Sequence, residues 1–277
     1  MQLAPLAIVA GGYAWRLRTL ARRGRPVPAR RPLWFAVAVV LLLAAVVSPI
    51  DRIGEERVFY VHMVQHLLLG DLAPLALVLA VDGRILRPLL ALAPVRALRG
   101  LAHPLVAFPL WALSLCAWHV PALYEAALAH PAVHALQHLS FFTAGALMWA
   151  AVIEPLPGPA WFGAGPKAVY VLVVRTVGAI VASVLIWSST VFYPAYAAGE
   201  RAWGISPADD QTIGGAIMFV EGSFVTFAVF AWLFLEWARK AELRQALLDE
   251  GHDPVAAARA ARYERSRLAR SGGASPP

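Results

Sequence analysis

Charge is scarce in this 277-residue sequence. Only 15% of its residues are charged, whereas 60% are apolar and the mean hydropathy is +0.62. Soluble domains carry about 25% charged residues, so a soluble globular domain is excluded and a polytopic membrane protein remains. Short segments of alternating hydrophobicity are also missing, which excludes an outer-membrane barrel. One cysteine, Cys116, leaves no internal disulfide to form. No basic stretch precedes the first apolar run; Arg16 and Arg18 follow it, so it reads as a helix and not as a cleaved signal peptide. No internal repeat stands out.

What charge there is leans basic, with a formal net charge of +7. The basic residues fall in a few loops and the tail, as membrane topology requires, so a nucleic-acid partner is not needed to explain them. Apolar segments at 3–20, 33–49, 58–81, 104–120, 132–153, 168–193 and 211–237 predict an all-α bundle of seven transmembrane helices. The bundle fills 1–237, and 238–277 is a basic tail, helical at first and disordered in its last residues, SGGASPP. The arginines between Arg84 and Arg99 are spaced as on a helix lying at the membrane interface.

Alternate loops lie on opposite sides. One side receives Arg16, Arg18, the loop from Arg22 to Arg31, the Arg84–Arg99 group, Lys167 and the tail; the other receives Arg52, Arg57 and Arg201. The positive-inside rule then puts the N-terminus outside and the C-terminus in the cytoplasm. The basic tail is also placed to touch anionic lipid.

This topology gathers scattered polar residues into one layer. His62 and His66 lie in the first two turns of segment three, His119 at the outer end of segment four, and His134 and His138 in the first two turns of segment five. Asp210 and Gln211 stand at the mouth of segment seven, with Met218 about two turns further in. In each HxxxH pair the two histidines share a helix face. Imidazoles suit copper, zinc, iron and nickel, and soft donors at Met63, Met218 and Cys116 favour Cu(I). A bis-histidine haem b site, for instance between His66 and His138, is the rival. The pairs read HMVQH and HALQH, without the glutamate of HExxH, so metal-assisted hydrolysis is disfavoured and no enzyme is expected.

Three charges lie deeper. Asp71 is about 20 Å below the outer surface and Arg175 about 10 Å above the inner one, which match in a ~30 Å core. The depths predict an Asp71–Arg175 pair, because buried charges need partners. Glu221, nearer the midplane, either completes a triad with Arg175 or binds a proton or ion. Pro74 is expected to kink segment three and free a carbonyl.

Three stretches, HMVQHLLLGDLAPLALVLA, WHVPALYEAALAHPAVHALQHLSFFTAGALMW and DDQTIGGAIMFVEG, resemble the CtaG-type cytochrome c oxidase assembly factors, the polytopic kind found with bacterial oxidases. The resemblance covers Phe59 to Leu235. It implies a seven-helix protein of the bacterial plasma membrane that matures a haem-copper oxidase, with copper handled at the outer face. It also implies an oxidase subunit or a copper donor protein as partner. The matching positions are His62, His66, His119, His134, His138, Asp210, Gln211 and Met218.

Overall fold

The computed structural model describes residues 3–258, 260 and 261. Among them the chain is helix and turn, with no strand. The first half contains α1 (Leu3–Arg22), α2 (Arg30–Val46), α3 (Pro49–Glu56), α4 (Phe59–Leu67), a π-helical turn (Leu68–Leu72), α5 (Ala73–Ala80), α6 (Gly83–Leu90) and α7 (Ala93–Leu98). After a 3-10 turn (Arg99–Ala102) follow α8 (Pro104–Trp118), α9 (Pro121–Ala129), α10 (Pro131–Ile153), α11 (Ala164–Trp187), α12 (Ala197–Trp203) and α13 (Pro207–Asp249). The tail end expected to be disordered, 271–277, lies outside the described residues.

Four helical stretches are long and apolar enough to cross a membrane: Phe59–Ala80, Pro131–Ile153, Ala164–Trp187 and Pro207–Asp249. Two bent pairs bring the number to six if each is one span. They are α2 with α3, bent by 41°, and Ala93–Ala102 with α8, bent by 80°. The expected first span, α1, is outside this set; its 20 residues include Arg16, Arg18 and Arg22. The expected interfacial helix is two short ones, α6 and α7. The second of them, with the 3-10 turn after it, meets α8 at 80°. The boundary expected at 237/238 falls inside α13, which runs unbroken for 43 residues, about 65 Å at 1.5 Å per residue.

The middle of the bundle is set by one proline. Pro74 has no N–H, and its ring presses on the carbonyl four residues back, that of Gly70. The backbone absorbs this as a π turn instead of a sharp kink, so Phe59–Ala80 continues as one span. The Gly70 carbonyl is turned against α10 at Gly145, where a Cβ would stand only 2.0 Å from the Gly70 oxygen. Glycine at 145 therefore lets α10 lie directly against the π turn, and this contact brings the two HxxxH helices together.

The basic loops are tied to one another at one end of the bundle. Arg16 donates to the Arg84 carbonyl at 2.6 Å, Arg31 pairs with Asp82 at 3.3 Å, and Arg99 donates to the Pro157 carbonyl at 3.0 Å. At the other end the short helices α3, α9 and α12 fold over the mouths of α4, α10 and α13. Phe59, Met63, Tyr124, Leu185, Tyr193 and Tyr196 pack there as one buried cluster.

Candidate metal centre

His62 and His66 on α4 and His134 and His138 on α10 meet as a block of four imidazoles. Ring centroids are 4.3 Å apart for His62–His66 and 4.0 Å for His134–His138 along the helices. Across the helices they are 5.4 Å for His62–His134 and 5.7 Å for His66–His138. One ligand nitrogen from each ring can be chosen so that all four lie within 4.8 Å of one another. His62, His66 and His134 are buried, with relative exposures of 0%, 7% and 8%.

The other ring nitrogens explain the orientation. His134 Nδ1 lies 2.9 Å from Glu55 Oε1 on α3, and His62 Nδ1 lies 2.6 Å from the Tyr196 hydroxyl just before α12. When each Nδ1 donates its proton, the Nε2 lone pair is left free. Tyr196 is itself held by the Tyr124 hydroxyl of α9 at 2.9 Å. His62 Nε2, His134 Nε2, His138 Nε2 and both nitrogens of His66 are buried without a hydrogen-bond partner. Each orphaned polar atom costs about 1–3 kcal/mol, more in lipid. A network kept only for stability would not leave five of them together; convergent lone pairs of this kind fit a cation.

Bond lengths set the spacing an ion needs. Four nitrogens at about 2.05 Å from an ion are about 3.4 Å from one another. The widest separation, 4.8 Å, exceeds that value by about 1.4 Å, so an ion would require the rings to close in on it. Gln65, between the two α4 histidines, points the opposite way. It donates to the Ala45 carbonyl at 3.0 Å and to Asp51 at 2.6 Å, fixing α4 to the α2–α3 bend.

Several expected site residues sit elsewhere. His119 is not in the four-histidine group. Its Nδ1 donates to the Leu115 carbonyl at 2.8 Å, and its ring lines a cavity beside His66. Met218 and Met63 line that cavity too. Cys116 is exposed, so it does not share the pocket with His119. Asp210 acts as a cap and not as a ligand: its two carboxylate oxygens accept from the backbone N–H of Phe59 at 2.7 Å and of Tyr60 at 2.8 Å. It thereby satisfies free donors at the start of α4, the helix that carries His62 and His66. Gln211 is also structural, accepting from Phe192 and donating to the Leu185 and Thr190 carbonyls.

The expected Asp71–Arg175 pair does not form. Asp71 accepts from Trp149 Nε1 at 2.5 Å and hydrogen-bonds the Glu221 carboxyl. Arg175 turns to α13 instead. It donates to the Phe219 carbonyl and to Ser223 Oγ, both at 2.8 Å, and lies over the Phe219 ring at 4.3 Å. Asp71 and Arg175 line the same cavity, but Asp71, on the π turn, meets α10 at Trp149 instead of the guanidinium. Glu55, Tyr196 and Tyr124 are the site residues that sequence reasoning missed. Glu55 was visible only as one of several loop charges.

A second carboxyl contact sits at the mouth of α13. Glu200 on α12 is buried, 2% exposed, and hydrogen-bonds Asp210. Burial, then the negative charge of Asp210 and the bond to it, push the Glu200 carboxyl up to about 7.

Comparison with known proteins agrees with the resemblance. A family model described as "Cytochrome c oxidase caa3 assembly factor (Caa3_CtaG)" matches residues 11–240. Two uncharacterised proteins, Mb0105 of Mycobacterium bovis and MT0111 of Mycobacterium tuberculosis, are each 27% identical over 95% of this chain. That alignment covers 43% of their own length, so the chain spans less than half of these relatives. No solved structure matches.

Proposed function

The chain belongs to the cytochrome c oxidase caa3 assembly factor family, and from that premise we propose that it carries copper as cargo on the four-imidazole centre and passes it to an oxidase subunit during assembly. The observation that carries this reading is the convergence of His62, His66, His134 and His138, with Glu55 and Tyr196 holding two of the opposite ring nitrogens. An orienting hydrogen bond on the far nitrogen is the usual support of a metal-bound histidine. Four imidazoles accept Cu(I) in a tetrahedral set, and Met63 and Met218 lie beside His66 as soft donors for an ion on its way in or out. Transfer needs an exchangeable site. Glu55, with its side chain 38% exposed, lies on the solvent side of His134 and gives the ion a negatively charged approach.

In this reading the centre faces the extracytoplasmic side of a bacterial plasma membrane. The basic loops, gathered at the opposite end, face the cytoplasm. Seven crossings, with α1 as the first and the N-terminus outside, complete the topology. The partner is an oxidase subunit or a copper donor protein, and the chain itself catalyses no reaction. A bis-histidine haem draws less support. Cofactor sites run to about 300–1,000 Å³, whereas the cavity at His66 holds about 100 Å³.

The test is oxidase maturation in cells. H66A/H138A is expected to leave the assembly factor in the membrane and the oxidase short of copper. A fully metallated oxidase with that variant as the only assembly factor would rule out copper delivery and favour a metal-free scaffold.

A further inference from the structure

Two carboxyl groups inside the bundle stand apart from the histidines. Asp71 is on the π turn and Glu221 is on α13; both line one cavity, and their carboxyl groups are close enough to share a hydrogen bond. A carboxyl–carboxyl hydrogen bond exists only when one partner carries a proton. Two bare carboxylates at that separation would repel, with little screening inside an apolar span. One proton therefore belongs to the pair. The pair then has a single negative charge, and Arg175, whose charge acts on Glu221, offsets it.

The pair opens on a cavity of about 100 Å³, lined also by His66, His119, Met218 and Arg175. That is room for about three waters. His66 is 93% buried, has no partner on either nitrogen, and belongs to the four-imidazole centre. Asp71 follows it by five residues, roughly 8 Å of helix rise. The titratable groups that face the pair across this cavity are His66 of α4, His119 of α8 and Arg175 of α11; α10 contributes Trp149, which does not titrate. The helix α2 also packs on the π turn, but its charges, Arg30 and Arg31, are at its far end, where Arg31 bonds the Leu79 and Val81 carbonyls.

We propose that Asp71 and Glu221 form a proton-binding site that gives up its proton when a divalent cation, rather than Cu(I), occupies the four-imidazole centre. The proton site stands by itself; the coupling rests on the metal reading above. Neutral imidazoles bring no counter-charge, and Glu55 supplies one negative charge at the surface. A divalent ion exceeds that by one. Loss of the shared proton supplies the second negative charge, and the proton leaves through the water-sized cavity. A unit charge on the order of 10 Å away in a medium of effective dielectric about 20 lowers proton affinity by about tenfold. By linkage, the discharged pair tightens the cation by the same factor.

Infrared difference spectroscopy on the full chain in lipid nanodiscs tests this, with Zn(II) as a probe that undergoes no redox change. An E200Q background removes the proton that Glu200 holds near neutrality. The metal-free protein is expected to show a protonated-carboxyl C=O band that D71N and E221Q each remove, since the remaining carboxylate is then balanced by Arg175. Zn(II) is expected to bleach that band and release about one proton per ion, and H62A/H66A to abolish the bleaching. Absence of the band in metal-free protein overturns the proton site and leaves the copper reading intact. A band that persists while equilibrium dialysis shows Zn(II) bound overturns the coupling. Failure of Zn(II) and Cu(I) to bind at all overturns the metal reading and the coupling with it, while the band still supports the proton site.

Discussion

At the scale of residues, the centre depends on which nitrogen of each histidine is occupied. Glu55 lies against Nδ1 of His134 and the Tyr196 hydroxyl against Nδ1 of His62, so each Nε2 is the nitrogen left for an ion. Removing such a partner typically costs 10–100-fold in metal affinity. E55A is therefore expected to weaken Cu(I) binding about 10–100-fold, and Y196F by about tenfold, in competition titrations with a chromogenic chelator. H119A, outside the group, is expected to leave the stoichiometry unchanged in the same titration. The two HxxxH pairs were legible in the sequence because positions four apart on a helix must share a face. Glu55 and Tyr196 were not, because short loop helices carry them back over the mouth, a path that no local pattern encodes. The Asp71–Arg175 pairing failed for a related reason. Sequence gives depth along a helix, but the direction a side chain faces changes by a fraction of a turn when a π turn intervenes.

At the scale of elements, the contact between the π turn and α10 holds the site together. Gly145 has no room for a Cβ against the Gly70 carbonyl. G145A is expected to force α10 outward and destabilise the chain by about 1–3 kcal/mol, read as a lower melting temperature in detergent. It also widens the spacing of the imidazoles, so metal affinity falls with it. Pro74 was legible as a break, but whether the helix would kink or insert a π turn depended on a glycine that lies on another helix. The Glu200–Asp210 contact gives a pH dependence. Glu200 has a folded-state value of about 7 against an ordinary 4.5. Between those values the folded chain binds more protons than the unfolded one, so this group's stabilisation is fully present below pH 4.5 and is lost as pH rises through about 7. Melting temperature is expected to fall across that window in the wild type and to fall less in E200Q. Because Asp210 caps α4, the same rise in pH is expected to loosen the N-terminal end of the helix that bears His62 and His66.

At the scale of the whole molecule, the fold separates charge from ligands. Basic loops are tied together at one end, and the imidazoles lie under the short helices at the other. The helical class and most of the span positions were legible from hydropathy alone. The number of crossings was less so. Spans α2–α3 and α7–α8 are bent, and α1 carries three arginines. Topology is testable in a C116S background. Ala122→Cys, on α9, is expected to react with an impermeant maleimide in intact cells. Ala91→Cys, after α6, is expected to react only after permeabilisation. The reverse pattern would invert the orientation and put the centre on the cytoplasmic side.

The most direct test of the account is the copper stoichiometry of the purified full chain, measured by titration with Cu(I) under reducing, anaerobic conditions. About one tightly held ion per chain is expected, reduced to none in H62A/H66A and in H134A/H138A while both variants keep the wild-type helical content. A wild-type chain that holds no copper, or a doubly substituted one that holds as much as the wild type, would contradict it.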